Sequence, residues 1–425
     1  MNKAFFKQDN IINIFFIITS VGTFAAMLGI IIYYIIAFAS LYNGSDSFNW
    51  LLGIFSDFVE IMNISIEESP YIVEGASHPP LAIMILYPFA IICKSVFVKY
   101  AGQTLTVDEL TSKLTISPQF WVAIILFFII CTVSIVWLVA KKYELHKMQI
   151  IKIATIITAS APFVYAVMRG NTIYFALIFL IIFLFFKDSK NFYLRELSYI
   201  SLAISGCLKI YPLFFGVFLL KDKKMFASMR VAAYFFAIFF ASFYFFELDL
   251  VEAPEFVDSL EGFMTNEVRL LGRNNLSISA LLFKILWIFN PSLTAENTLF
   301  STLNIAILAL IFIISTVAAI GTKNNFTRMV ICSSIVILIP SISYFYVLIF
   351  TILPFLEYTK TAEKMPTKKS ILYFVSFLFL FVTFFVLPKN FIIHSLIVIL
   401  LLFTEIIGVF KKELFIKKKI QKKEL

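Results

Sequence analysis

LYNGSDSFNWLLGIFSDFVEIMNISIEESPYIVEGASHPP, residues 41–80, follows the first long apolar run of the chain. It carries six acids (Asp46, Asp57, Glu60, Glu67, Glu68 and Glu74) and neither Lys nor Arg. In a membrane protein, positive charge collects on the cytoplasmic side, so an acid-only stretch in a chain of net charge +9 is expected outside. The stretch runs into Ser77-His78-Pro79-Pro80-Leu81. Proline is tolerated in the first helical turn, so this reads as a rigid entry into another helix.

The whole composition supports a membrane reading. Of 425 residues, 61% are hydrophobic and 14% charged, with a mean hydropathy of +0.94. A soluble domain averages about 45–50% apolar and about 25% charged. Repeated apolar runs approach the ~20 residues that cross a bilayer. The Lys residues sit mainly between those runs and in the tail, so the positive charge is not a nucleic-acid footprint. Cys93, Cys131, Cys207 and Cys332 all fall in apolar segments with no ligand spacing, and read as buried small hydrophobes. The run from Ile11 to Ala39 far exceeds the ~7–15 apolar residues of a signal peptide, so it is expected to stay as a first span.

The charge rule then orders the chain. Residues 41–118 form a first outer loop. Leu81–Val98 is expected to lie in the outer leaflet, because counting it as a span would put Lys141, Lys142 and Lys147 outside. Lys94 and Lys99 can then snorkel to the surface. Phe120–Ala140 crosses inward, Ile150–Met168 outward to Arg169-Gly170-Asn171, and Thr172–Phe186 inward. Leu197–Leu220 reads as two short helices with Lys209 at an outer turn, because Pro212 interrupts it. Residues 247–298 form a second outer loop containing a surface helix at Leu276–Phe289. Residues 411–425 make a basic cytoplasmic tail suited to anionic lipid. The expected fold is all-α: one polytopic domain over 1–425, about 12 crossings, outer juxtamembrane helices and both ends in the cytoplasm.

Polar residues at membrane depth are expensive and usually functional. Those expected on the outer side are Asp46, Asp57, Glu60, His78, Arg169, Asn171, Lys209, Tyr211, Arg269, Arg273, Asn274 and Asn275. An early carboxylate with later cations suits a reaction in which the carboxylate takes a proton from a hydroxyl and the cations hold a departing phosphate. Such a leaving group needs no general acid, so one carboxylate suffices where glycoside hydrolysis needs two. Each residue also has a plain role: Asp46 after Gly44-Ser45 suits a helix cap and is the second candidate base after Asp57, Glu60 one turn from Asp57 suits an assistant, and Arg169 and Lys209 interfacial anchors. Arg269 and Arg273 could pair with the seven acids of their own loop.

Ser56-Asp57-Phe58, Ser69-Pro70-Tyr71 and His78-Pro79-Pro80-Leu81 resemble the first outer loop of the GT-C glycosyltransferase superfamily. Arg169-Gly170-Asn171, Leu208-Lys209-Ile210-Tyr211-Pro212 and Asn274-Asn275-Leu276-Ser277 resemble later signatures of glycosyltransferase family 87 within it. The resemblance implies inverting transfer of a sugar, mannose-like as a first guess, from a polyprenyl-phosphate donor to a lipid or glycan acceptor outside the cytoplasm. It places the catalytic base at Asp57. It assigns substrate binding to His78, Arg169, Asn171, Lys209, Tyr211, Arg269, Arg273, Asn274 and Asn275. No metal is expected, because no spare carboxylate pair lies beside Lys209, and no cofactor. The chain departs from the family pattern at His78, where Tyr is frequent, and at Tyr344 and Tyr346, where a His is frequent. Two other classes stay open. A polymerase or ligase using lipid diphosphates would carry Arg-rich outer loops. A flippase would spread charges toward both faces and show repeated halves.

Overall fold

The computed structural model describes residues 3–41, 55–66, 71, 78–100, 105–222, 224–244, 253–272, 274–382 and 392–424. Asp46, Glu67, Glu68, Glu74 and Arg273 lie outside the described residues, as does any capping by Asp46. Among those described, the structure is helical, with one isolated antiparallel bridge between Asn275 and Tyr344. The α-helices, in order, are α1 (Gln8–Leu41), α2 (Ser56–Ile64), α3 (Pro80–Tyr100), α4 (Val107–Leu114), α5 (Pro118–Tyr143), α6 (Lys147–Ala159), α7 (Ala161–Arg169), α8 (Ile173–Phe186) and α9 (Phe192–Leu208). A 3₁₀ turn at Tyr211–Gly216 leads to α10 (Val217–Lys221), α11 (Met225–Tyr244), α12 (Ala253–Thr265), α13 (Glu267–Leu271) and α14 (Ile278–Phe289). After α15 (Thr298–Gly321) and α16 (Asn325–Leu338), a 3₁₀ segment at Phe345–Thr351 precedes α17 (Ile352–Thr361), α18 (Thr367–Val382) and α19 (Ile392–Glu424).

By length and composition α3, α5, α11, α15 and residues Ile392–Lys412 of α19 can cross a bilayer, and α6 with α7 makes a sixth, bent span. The protein is an all-α integral membrane protein. Among the described residues five or six helices pass the length test, and about twelve crossings are expected from the sequence. The apolar α8, α14 and α16 are shorter than a perpendicular span.

One segment differs from expectation. Ile150–Met168 is not one straight crossing: it bends by 58° between α6 and α7. Ser160 leaves the helical region at ψ 142, and Pro162 follows in the first turn of α7. Proline has no N–H and would clash with the carbonyl four residues back, so the helix restarts rather than continues. α3 is one continuous helix of 21 residues, about 30 Å long, so it has the length of a span, and its expected place in the outer leaflet rests on the charge rule alone.

The chain divides into two compact units. One comprises Asn13–Leu213 and Arg230–Phe263. In it Phe58 of α2 packs its ring 5.8 Å from Phe89 of α3 and 5.2 Å from Phe127 of α5. Phe127 in turn meets Tyr174 and Phe175 of α8 at 5.9 and 5.7 Å. Aromatic rings favour such edge-on packing, and this cluster fixes the short α2 against three longer helices. Ser205 Oγ of α9 donates to the Ala176 carbonyl of α8 at 2.7 Å.

The other unit comprises Met1–Ile12, Phe214–Met229 and Met264–Leu425. Two of its buried charged side chains, Glu405 and Arg328, have polar partners among the described residues. Glu405 of α19 accepts from Thr327 Oγ1 at 2.7 Å, from Lys369 Nζ at 2.7 Å and from the Tyr373 hydroxyl. Arg328, 1% exposed, donates to the Ala319 carbonyl at 2.8 Å and to the Thr322 carbonyl, at the end of α15. It thereby satisfies acceptors that a helix C-terminus leaves open. Its guanidinium also lies 5.0 Å from the centre of the Phe218 ring.

Candidate functional site

The site is built on the turn between α7 and α8. Gly170 is left-handed (φ 64, ψ 33). Its N–H donates to the Val167 carbonyl at 2.8 Å, and Asn171 N–H donates to the Ala166 carbonyl at 3.2 Å. This is the Schellman ending, which demands a residue that tolerates positive φ. Glycine is required for a second reason: a Cβ here would collide with Cβ of Phe58. The turn therefore presses directly on α2. Phe55 N–H, just before α2, donates to the Met168 carbonyl at 2.5 Å. Phe55 is itself left-handed at φ 65, uncommon for a bulky residue. Its ring is packed 5.6 Å from Phe120 and 6.1 Å from Trp121.

That packing delivers Asp57, in the first turn of α2, to the Arg-Gly-Asn turn. Asp57 Oδ1 accepts from the Arg169 guanidinium, and Oδ2 accepts from Asn171 Nδ2 at 2.7 Å. Asn171 is oriented by its other amide atom, whose Oδ1 accepts from Ile173 N–H at 3.0 Å. The Asp57 side chain is 7% exposed and that of Arg169 30%, so the arginine is the more open partner. Each carboxylate oxygen has two lone pairs, so both can still accept a further hydrogen bond.

Glu60 follows three residues later on the same helix face. Its Oε1 lies 3.9 Å from His78 Nε2. The His78 carbonyl accepts from the Tyr71 hydroxyl at 3.0 Å, and the Tyr71 ring packs against Phe243 and Phe256. Lys209 caps the end of α9, in the break expected at that residue. Burial pulls its ammonium below the ordinary lysine range, while the Asp57 and Glu60 carboxylates act in the opposite direction. Tyr211 opens the 3₁₀ turn beyond it. This unit thus holds Asp57 with Arg169 and Asn171, and Glu60 beside His78, with Lys209 in the field of both carboxylates.

Arg269, Asn274 and Asn275 belong to the other unit. Asn275 Nδ2 donates to the carbonyls of Arg269 (3.3 Å) and Ser341 (3.1 Å). Its Oδ1 accepts from Ser277 N–H (3.1 Å) and Ser343 N–H (3.0 Å). An asparagine amide offers two donors and two acceptor positions. All four are used on main chain, so Asn275 staples residues 269–277 to 341–343. Arg269 lies in α13, whose N-cap Asn266 accepts from Arg269 N–H. No group of three or more His, Cys, Asp or Glu suited to a metal ion occurs among the described residues.

The staple, the Phe58–Gly170 contact and the Glu60–His78 pair escape sequence reasoning. Each depends on segments distant in the chain. Of the residues in these three, only Glu60 has a spacing signal, the helix face it shares with Asp57.

No curated protein and no solved structure matches this chain. The sequence model of glycosyltransferase family 87 matches residues 77–341. That stretch contains His78, Arg169, Asn171, Lys209, Tyr211 and Asn275, and begins after Asp57. It covers more than half of the chain, and the chain belongs to glycosyltransferase family 87, a family of GT-C-type membrane glycosyltransferases.

Proposed function

We propose that this glycosyltransferase moves a sugar from a polyprenyl-phosphate donor to a lipid or glycan acceptor, with Asp57 as base. The observation that carries the proposal is the pairing of Asp57 with Arg169 and Asn171. Asp57 takes the proton of an acceptor hydroxyl as that oxygen attacks the anomeric carbon. The bond from this carbon to the phosphate oxygen breaks on the opposite face, so the configuration inverts. Polyprenyl phosphate departs with the bonding pair, and Lys209 and Arg169 hold its charge. Asn171 keeps the carboxylate turned toward the hydroxyl.

Charge favours a monophosphate donor. Among the described residues of the cluster, Arg169 and Lys209 are balanced by Asp57 and Glu60. Such a site tolerates the single charge of a phosphodiester better than the two of a lipid diphosphate. On this reading the site opens to the outer face of the cytoplasmic membrane, both termini lie in the cytoplasm and the chain crosses about twelve times. Tyr211, Arg269, Arg273 and Asn274 are assigned to substrate from the sequence resemblance, and a hexose, mannose first, is the sugar to try.

Purified protein supplied with radiolabelled polyprenyl-phosphate mannose or polyprenyl-diphosphate mannose, in membranes holding candidate acceptors, tests this. Transfer from the monophosphate alone, with an inverted linkage, is expected. Transfer only from the diphosphate would reassign the protein to polymerase-type chemistry.

A further inference from the structure

Glu60 has no task in that mechanism. It lies three residues after Asp57, so the two carboxylates leave one face of α2, roughly 5–6 Å apart at their Cβ atoms. Their surroundings differ. Asp57 is 7% exposed at its side chain and gives both oxygens to Arg169 and Asn171. Glu60 is 31% exposed, with His78 Nε2 3.9 Å from its Oε1. An ionised carboxylate only accepts hydrogen bonds, at about four lone-pair positions on its two oxygens. At that exposure part of this accepting capacity can be reached by a ligand. A half-buried carboxylate one helical turn from a base is separated from it by about the width of a sugar ring.

We propose that Glu60, positioned by His78, accepts a hydrogen bond from a ring hydroxyl of the donor sugar and selects among sugars through that contact. The proposal rests on the donor assignment above. It places Glu60 on the donor rather than the acceptor, because Glu60 lies one helical turn beyond Asp57, about a sugar ring away from the base that takes the attacking hydroxyl. The contact is directional: a donor lacking the matching hydroxyl leaves the carboxylate facing a group that cannot donate. Hydrogen bonds to charged groups correspond to about 10- to 100-fold in an equilibrium or rate ratio.

The test compares kcat/KM of full-length protein for polyprenyl-phosphate mannose and its 2-, 3-, 4- and 6-deoxy analogues. Wild type, Glu60→Gln, Glu60→Ala and His78→Gln are each measured, with thermal melting as the check on folding. For wild type, one analogue is expected to fall about 10- to 100-fold below the parent donor. Glu60→Ala is expected to lose a similar factor on the parent and nothing more on that analogue, so the two losses do not add. Glu60→Gln, which keeps an acceptor oxygen and the side-chain shape, retains part of the discrimination. His78→Gln weakens the same discrimination without changing which hydroxyl is read. Equal losses on every analogue, a change confined to the acceptor KM, or unchanged kinetics in a folded Glu60→Gln and Glu60→Ala would overturn the proposal. Absence of turnover by wild type on every polyprenyl-phosphate sugar would remove the donor assignment itself, and the inference with it. That result is separable because it precedes any mutation.

Discussion

Gly170 is where local conformation and site assembly meet. Its left-handed backbone ends α7, and its missing side chain admits Phe58. Gly170→Ala combines strain at positive φ with a steric clash, so we expect destabilisation of about 1–3 kcal/mol. It should appear as a lower melting temperature together with reduced transfer, because Asp57 moves with Phe58. A melting temperature equal to wild type would contradict this account of the turn. Asp57, Arg169, Asn171 and Lys209 were legible as polar residues in an apolar chain, where such residues stand out. Phe55, Phe58 and Gly170 were not, because a steric fit belongs to a pair and neither sequence position announces its partner. Asn275 was legible as a polar position within the family signature, but not in its use. Two of its hydrogen bonds reach residues 341 and 343, a separation that no spacing rule covers.

At the scale of elements, most helices could be read from apolar length and from capping residues. Ser277 caps α14 through Ala280 N–H, and Asn290 ends it, close to the expected surface helix. The bend at Ser160 was available in Pro162 and outweighed there by apolar length. Charge pairing between helices was less legible. Lys369 ties α18 to α19 through Glu405 and Arg328 closes the end of α15, and no sequence spacing marks either partner. Removing one partner of a buried pair strands the other, at a cost of about 3–5 kcal/mol. Glu405→Ala should therefore lower the melting temperature strongly, while the exposed Lys190→Ala should leave it unchanged. Equal melting temperatures for the two variants would remove the pairing as a stabilising element.

For the whole molecule, charge bias carries the proposed orientation: α12 outside, and the turn between α8 and α9 in the cytoplasm. The four cysteines are buried, so an introduced one can be read against a low background. Gly262, in α12, has open space where a side chain would extend, and Lys190 is exposed between α8 and α9. In intact cells a membrane-impermeant maleimide should label Gly262→Cys and not Lys190→Cys, which should react only after permeabilisation. The reverse pattern would put the site on the cytoplasmic face.

The most direct test of the chemistry is single-turnover transfer by purified Asp57→Asn with polyprenyl-phosphate sugar at saturation, alongside donor binding measured on the same sample. Asparagine keeps the side-chain size and removes the basic oxygen. A loss of about 10²–10⁴ in transfer rate with donor binding retained is the predicted result. Transfer at the wild-type rate would contradict the assignment of Asp57 as the base.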